Sequence, residues 1–197
     1  MQPFVTLRSV AAPLIRDNID TDAIIPSREM KSVSKTGLAQ GLFAGWRYKT
    51  NGGRDPDPDF VLNKPAYAEA SILLGGANFG CGSSREHAVW ALAEYGFRAI
   101  IAPSFNSIFR GNCIQNGILP IELDPMPIAS AESPLTIDLQ AQTVTASSGE
   151  TWRFEIDLEA KRMLELGLDA IDLTLLLRNE IELFRQSDRT QRPWVYL

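Results

Sequence analysis

The sequence predicts an α/β protein, and two patterns along the chain lead to that prediction. Apolar, strand-like segments alternate with helical segments between residues 71 and 123. Three segments with period-two alternation follow between residues 135 and 156, and short helical segments come after them. Alternating strands and helices are typical of a parallel sheet, whereas period-two segments joined by turns are typical of an antiparallel one. We therefore expect a parallel βαβαβ unit followed by a small antiparallel meander.

The N-terminal part begins with a segment rich in β-branched and apolar residues, Phe4 to Ile15, which predicts one strand. Three aspartates and an asparagine then crowd into residues 17–22. Such a run is typical of a turn with side-chain hydrogen bonds, of a cation site or of a polar active site. An EF-hand loop is excluded by the spacing of glycine and glutamate.

The middle and C-terminal parts show clearer periods. Strands are predicted at residues 71–75, 98–102 and 118–123, with helices at 85–95 and 104–116 between them. Parallel strands of this kind bind ligands beyond their carboxyl ends. The antiparallel strands are predicted at 135–139, 143–146 and 152–156, and helices at 158–166, 170–178 and 180–184.

Composition limits the classes of protein that the chain can belong to. Apolar residues make up 45% of the 197 residues and charged residues 22%, which is typical of a globular protein. The net charge of −5 and the lack of a basic stripe argue against nucleic-acid binding. No apolar run approaches the roughly 20 residues of a membrane span, and the first residues do not resemble a signal peptide. We therefore expect a cytoplasmic protein.

The two cysteines, Cys81 and Cys113, limit the metal chemistry. They are too few for a disulfide framework, an iron–sulfur cluster or a structural zinc site within this chain. The simplest interpretation of Cys81 is a small buried residue. We expect no metal bound by this chain.

The stretch from Gly75 to His87 is the strongest functional signal. It follows a strand, opens a helix and contains four glycines, which leave backbone amides open to a ligand. The helix N-terminus favours an anion, and the guanidinium of Arg85 matches a carboxylate. Two hydroxyls, this arginine and the only histidine of the chain fall within five residues. The pattern predicts an active-site loop for an anionic substrate.

Several alternatives apply to this loop. Ser83 and Glu86 have the spacing of a helix capping box, and Ser83 placed there could also act as a base. Ser83 and His87 could face each other as in a serine hydrolase, but the G-x-S-x-G pattern is missing. Nucleotide-binding glycine patterns are missing too. For His87, a hydrogen-bonded structural role is favoured over direct catalysis.

Three blocks of the sequence carry a family resemblance. Residues 78–88, 18–26 and 112–120 resemble the signature of the swivelling domain of the aconitase superfamily. Within it, the chain is most similar to the small subunits of isopropylmalate isomerases, over essentially its whole length. The resemblance implies a three-layer β/β/α fold in a single domain, residues 1–197, with short C-terminal helices as an extension from about residue 158. It also implies a large-subunit partner, in a heterodimer or heterotetramer, that carries a [4Fe–4S] cluster.

The resemblance further implies a reaction and a set of site residues. The reaction moves a hydroxyl between adjacent carbons of a substituted malate, a dicarboxylate, by dehydration and rehydration in leucine biosynthesis. Ser83 is then the base that removes the proton from carbon. By the same resemblance, the substrate is contacted by Gly82, Ser84 and Arg85. These residues are supported by Glu86 and His87, and the edge of the site is formed by Asp20, Thr21 and Asp22.

Substrate identity depends on a different segment. In the family, the loop after Pro26 helps to recognise the substrate side chain, and here it spans residues 27–38. Arg28, Glu29 and Met30 depart from the usual leucine-pathway sequence at these positions. A related hydro-lyase for another 2-substituted malate or maleate, of the citraconate or dimethylmalate type, is therefore the alternative. A non-catalytic module that binds a small dicarboxylate is a second alternative.

Overall fold

The computed structural model describes residues 1–30 and 34–196 of the chain. Its strands are β1 (Thr6–Ser9), β2 (Ala11–Leu14), β3 (Ile72–Gly75), β4 (Ala99–Ala102), β5 (Leu119–Glu122), β6 (Leu135–Asp138), β7 (Thr143–Thr145) and β8 (Thr151–Arg153). Its α-helices are α1 (Thr21–Ile24), α2 (Ala44–Arg47), α3 (His87–Tyr95), α4 (Ser107–Gln115), α5 (Pro125–Ser130), α6 (Leu158–Leu166), α7 (Ala170–Leu175) and α8 (Arg178–Gln191). Short 3₁₀ turns occur at Ser27–Glu29, Ala39–Gly41, Val61–Asn63, Pro65–Tyr67 and Pro193–Tyr196.

The strands form two sheets of different kinds. One sheet is parallel, in the order β2-β3-β4-β5, and the other is antiparallel, in the order β1-β6-β7-β8. Both predictions, the parallel βαβαβ unit and the antiparallel meander, are confirmed. The third strand of the meander is shorter than predicted, because β8 ends at Arg153.

The first predicted strand is wrong in one respect. Residues 4–15 form two strands in different sheets: β1 pairs with β6, and β2 pairs with β3. Val10 lies between them. Alternating burial continues through both strands, so the sequence pattern carries no mark of the change of sheet. Pro13, which cannot donate a backbone hydrogen bond, lies in β2 at the edge of the parallel sheet, where edge strands tolerate proline.

The two faces of the parallel sheet pack against different layers. Leu74 of β3 belongs to a buried cluster with Ile137 of β6, between the two sheets. Its neighbour Leu73 belongs to a second cluster with Val89 and Leu92 of α3. Because successive strand residues point to opposite faces, one strand serves both cores. The predicted three-layer β/β/α arrangement is confirmed.

Most of the predicted helices begin and end within three residues of the predicted positions, whereas α1, α2 and α5 were not predicted. Asn106 caps α4 by accepting hydrogen bonds from the amides of Ile108 and Phe109, at 3.1 and 3.3 Å. The helix therefore begins at Ser107 and not at residue 104. Gly167, with a φ of +68°, ends α6 as expected. Helix α8 extends from residue 178 to 191, well beyond the predicted 180–184.

The C-terminal segment folds back on itself. Asp188 of α8 accepts hydrogen bonds from the Arg192 guanidinium and the Tyr196 hydroxyl, both at 2.7 Å, and these bonds lower the pKa of its carboxyl. Large apolar side chains of α7 and α8, such as Leu175 and Phe184, stay exposed. In the described part of the chain, no helix is long and apolar enough to cross a membrane. A single domain with an extension from about residue 158 stays a prediction.

Leu74→Ala tests the core between the sheets. Leu74 is only 1% exposed, so the change leaves a cavity and should lower the free energy of unfolding by about 2–5 kcal/mol. Leu158, at 81% exposure, offers a matched control, and Leu158→Ala should change it by less than about 0.5 kcal/mol. Urea denaturation measures both, and equal effects would contradict the layered packing.

Candidate active site

The site forms where the carboxyl ends of β2, β3 and β4 meet at one edge of the parallel sheet. The loop after β3, residues 76–86, lies between the loop after β2 and the loop after β4. Backbone amides of Asn18 and Thr21 donate to the carbonyls of Ala77 and Cys81 at 2.8 and 2.9 Å. On the other side, the amide of Phe79 donates to the carbonyl of Ser104 at 3.0 Å. The central loop is therefore held by backbone hydrogen bonds on both sides.

Glycine is needed at two points of this loop. At Gly76, a Cβ atom would overlap the carbonyl group of Arg16. At Gly80, where φ is +74°, a Cβ atom would overlap the ring of Phe109. A side chain at either position would push the neighbouring segment away, so glycine permits the close approach.

The residues from Asp20 to Asp22 lie beside the central loop. The hydroxyl of Thr21, a residue only 4% exposed, accepts a hydrogen bond from the Ser83 amide at 3.0 Å. Asp20 caps α1 by accepting from the Ala23 amide at 2.6 Å. Asp22 forms an ion pair with Arg85 at 3.5 Å. Asp20 thus shows the side-chain hydrogen bonding of a turn, while Thr21 and Asp22 contact the predicted site.

The predicted capping box is wrong. Helix α3 begins at His87, and neither Ser83 nor Glu86 makes a side-chain cap hydrogen bond to it. The Ser83 amide is already bound to Thr21, and Gly82, at a φ of +95°, keeps the preceding backbone out of the helical conformation. The carboxylate of Glu86 instead accepts from the Asn116 side chain at 3.2 Å. Gly82, Ser83, Ser84 and Arg85 therefore precede the first turn of α3.

The exposed groups of the loop are suited to an anion. Gly82, Ser84 and Arg85 are exposed, and Ser83 is half-buried. The Arg85 side chain is 48% exposed and its pair with Asp22 is long, so solvent weakens the pair. Its guanidinium is thus open to a carboxylate ligand. The ring of His87 packs on Trp90, with 4.7 Å between ring centroids, and its hydrogen-bonded structural role stays a prediction.

Comparison with known proteins identifies the family. A family model described as the aconitase C-terminal domain matches residues 1–126, more than half of the chain. The chain belongs to the aconitase C-terminal domain family. A second family model, described as LeuD_N, matches residues 129–157.

Relatives of this aconitase-type domain share one name. A protein of Cupriavidus necator is 55% identical, and the alignment covers 100% of this chain and 99% of the relative. One of Azorhizobium caulinodans is 48% identical, with 99% and 100% covered. Both are named 3-isopropylmalate dehydratase small subunit. A crystal structure of 3-isopropylmalate dehydratase from Methanocaldococcus jannaschii is 29% identical and superposes with a TM-score of 0.69, covering 91% of this chain and 99% of that one.

The segment after Pro26 lies partly against the site. Met30 lines a narrow crevice together with Thr21 and Arg85. The Glu29 side chain, 7% exposed, pairs with Arg54 at 2.6 Å and with Arg28 at 3.4 Å. The hydrogen bond to Glu29 raises the pKa of the Arg54 guanidinium. Of the three departures from the family pattern, Met30 therefore shares a crevice with Arg85, whereas Glu29 is paired with Arg54 and Arg28. Residues 31–33 of the predicted specificity loop lie outside the described residues.

Glu94 fixes the far end of this segment and was missed by sequence reasoning. Its carboxylate accepts hydrogen bonds from three successive amides, those of Gly37, Leu38 and Ala39, at 2.6, 2.5 and 2.8 Å. Burial alone would raise the pKa of Glu94, but the three amides outweigh it and lower the pKa. Nothing in the spacing marks a glutamate on a helix as an anchor for a loop more than fifty residues away.

The cysteines and acidic residues do not gather into a metal site. Over residues 1–30 and 34–196, no three His, Cys, Asp or Glu side chains lie where they could hold a metal ion. Cys113 is buried, and burial raises the pKa of its thiol. Cys81 was expected to be buried but is only half-buried, because it lies in the loop at the sheet edge.

Gly80→Ala tests the close approach in the loop. The positive φ and the overlap with Phe109 should together lower the free energy of unfolding by about 3 kcal/mol. Gly149 also has a positive φ, but its Cβ would meet nothing within 4 Å. Gly149→Ala should therefore cost only about 1–2 kcal/mol by urea denaturation. Equal costs for the two variants would refute the close contact.

Glu94→Gln tests the anchor through its pH dependence. Because the pKa of Glu94 is lowered on folding, the ionised form stabilises the fold above the ordinary value of 4.5, and this contribution is lost as pH falls through the lower folded-state value. The variant should lose up to about 1 kcal/mol at pH 7, since the carboxylate is partly exposed. The loss should shrink as the pH falls below 4. Urea denaturation at pH 7 and below pH 4 measures the loss of stability, with the exposed Glu150→Gln as control. A loss that does not change with pH would contradict the role of the Glu94 carboxylate as the anchor.

Proposed function

We propose that this chain is the small subunit of a 3-isopropylmalate dehydratase, which interconverts 2-isopropylmalate and 3-isopropylmalate through isopropylmaleate. The observation that carries the proposal is the full-length similarity to proteins of that name, up to 55% identical. The geometry agrees, because an exposed arginine, two serines and a helix N-terminus lie together at the carboxyl edge of the parallel sheet. A cytoplasmic location and assembly with a large subunit belong to the same proposal.

Arg85 is proposed to bind a substrate carboxylate. Its guanidinium can donate two parallel hydrogen bonds, a geometry that lysine cannot reproduce. The Ser84 hydroxyl and the Gly82 amide are further donors in the same exposed stretch. The partial positive charge at the N-terminus of α3, a nine-residue helix, favours the same anion. These groups orient a dicarboxylate at the loop.

Ser83 is proposed to move the proton. Its oxygen, as the alkoxide, takes a proton from the carbon next to the one that bears the hydroxyl, and the C–H electron pair forms the double bond. The hydroxyl leaves with the electron pair of its C–O bond and takes a proton from solvent to become water. Adding water back with the opposite orientation gives the isomer. The nearby helix N-terminus and loop amides stabilise negative charge on the serine oxygen. Asp22 stays close enough to Arg85 to hold it until the substrate carboxylate takes its place.

The electrophile is proposed to come from the partner. A [4Fe–4S] cluster in the large subunit would supply Lewis-acid chemistry to the leaving hydroxyl and a carboxylate. Within its described residues this chain offers no ligand set for such a cluster, and it contains only two cysteines. The contribution of this chain is then to bind the substrate and to move the proton.

The segment after Pro26 is proposed to recognise the substrate side chain. Met30 lines the same narrow crevice as Arg85 and so places an apolar side chain next to the arginine that is proposed to bind the carboxylate. The change at Arg28, Glu29 and Met30 keeps a related hydro-lyase for another 2-substituted malate or maleate as the second candidate. A panel of substituted maleates, offered to the assembled enzyme, separates the two.

Ser83→Ala and Arg85→Lys test the two roles in the assembled enzyme. Loss of the base should lower kcat by about 10²–10⁴-fold. Loss of the bidentate fork should raise KM by at least about tenfold. Hydration is followed by the loss of alkene absorbance after mixing with a cluster-loaded large subunit.

Matched controls are the exposed residues Ser148 and Arg153, far from the loop in the antiparallel sheet region. Ser148→Ala and Arg153→Lys should leave both constants unchanged. Absence of turnover on every substituted maleate would contradict the proposed function. Parent-like behaviour of both loop variants would contradict only the assigned roles.

A further inference from the structure

Two asparagines, Asn112 on α4 and Asn116 directly after its last residue, contact the central loop. The side-chain amide of Asn112 donates to the backbone carbonyl of Ser84 at 3.3 Å. One helical turn later, the side-chain amide of Asn116 donates to the carboxylate of Glu86 at 3.2 Å. The two contacted residues are the immediate neighbours of Arg85.

Asn116 is also tied to the structures on either side of the loop. Its carbonyl oxygen accepts from the indole of Trp90 at 3.1 Å and from the ammonium of Lys35 at 3.3 Å. Trp90 lies one turn after Glu86 on α3, so Asn116 holds the start of that helix at two points. Lys35, which belongs to the segment after Pro26, lies over the Trp90 ring at 5.2 Å.

The side-chain contacts of Asn112 and Asn116 are not needed to end α4. The helix is already closed by backbone hydrogen bonds, in which the amides of Gly117 and Ile118 donate to the carbonyls of Ile114 and Cys113. One hydrogen of the Asn116 side-chain amide is donated to the backbone carbonyl of Asn112 at 2.9 Å, which leaves the other for Glu86. Asn116 therefore makes a tertiary contact in addition to this local one.

Arg85 itself has little to hold it. Its side chain is exposed, and its ion pair with Asp22 is long. Its backbone must then be fixed through its neighbours if the guanidinium is to meet a carboxylate at a defined place. A displacement of about 1 Å in such a group is enough to weaken its action a hundredfold.

We propose that Asn112 and Asn116 are positioning residues that fix the backbone around Arg85 for binding of the substrate carboxylate. The inference rests on the proposed function for its substrate and on the hydrogen bonds alone for its structural part. Neither residue touches the reacting atoms.

Asn→Asp substitutions separate donation from shape. Aspartate has nearly the same shape and keeps an oxygen for Trp90 and Lys35, but it places a carboxylate oxygen where the donor was. Asn112→Asp thus removes the contact to Ser84, and Asn116→Asp removes the contact to Glu86 together with the local bond to the Asn112 carbonyl. Gln115→Glu makes the same amide-to-carboxylate change on the same helix turn, at an exposed position, and serves as the matched control.

Hydrogen–deuterium exchange on the full chain tests the structural part without a partner. The amides of Ser83 and Trp90, which donate to the Thr21 hydroxyl and the Glu86 carbonyl, should exchange at least tenfold faster in both aspartate variants and unchanged in Gln115→Glu. Unchanged protection in the aspartate variants would overturn the proposal whatever reaction the protein catalyses. If one aspartate variant does not fold, the other still decides the result, since each removes a separate contact.

Kinetics of the assembled enzyme test the functional part. With 3-isopropylmalate, each aspartate variant should raise KM about tenfold with kcat within about threefold, and Gln115→Glu should match the parent. Adding Glu86→Gln to Asn116→Asp restores a donor–acceptor pair with the roles reversed, and KM should return to within about threefold of the parent. A fall in kcat with KM unchanged, or no recovery in the double variant, would overturn the positioning role. An inactive parent enzyme would instead contradict the proposed function and leave the exchange result to judge the positioning.

Discussion

The candidate site depends on the backbone hydrogen bonds that hold the central loop between its two neighbours. The amides of Asn18 and Thr21 bind it on one side and the carbonyl of Ser104 on the other. These bonds form only because three parallel strands end at the same sheet edge, and because Gly76 lets the backbone of Arg16 come close. Without them, the loop would not be held where Ser83 contacts Thr21 and Arg85 contacts Asp22.

The order β3-α3-β4-α4-β5 could be predicted because each of these strands is a short apolar run with a clear boundary. The details that failed are those decided by contacts between distant segments. Ser83 has the spacing of a cap, but its amide binds Thr21, more than sixty residues earlier, and α3 begins at His87. The change of sheet at Val10 is invisible in the sequence for the same reason, since both strands alternate alike.

The site itself could be predicted only in part. The nearness of Asp22 to Arg85 followed from the family resemblance, and the spacing of the residues did not require it. Asn116 is the last residue of the helix predicted at 104–116, and its side chain connects Glu86 with the indole of Trp90. Asparagine at a helix end is common for local reasons, so its tertiary role has no separate signature. Glu94 escaped notice in the same way, because a glutamate on a helix is usually solvated.

The division of the N-terminal segment between two sheets also bears on how the chain is made. Strands β2 to β5 all lie within residues 11–122, so the parallel sheet can assemble once that length has been synthesised. Strand β1 must wait for β6, whose Leu135 and Asp138 pair with Ser9 and Thr6. Pairing over such a sequence distance is slow. During synthesis, the nascent chain therefore holds an unpaired strand edge at its start until its last sheet emerges.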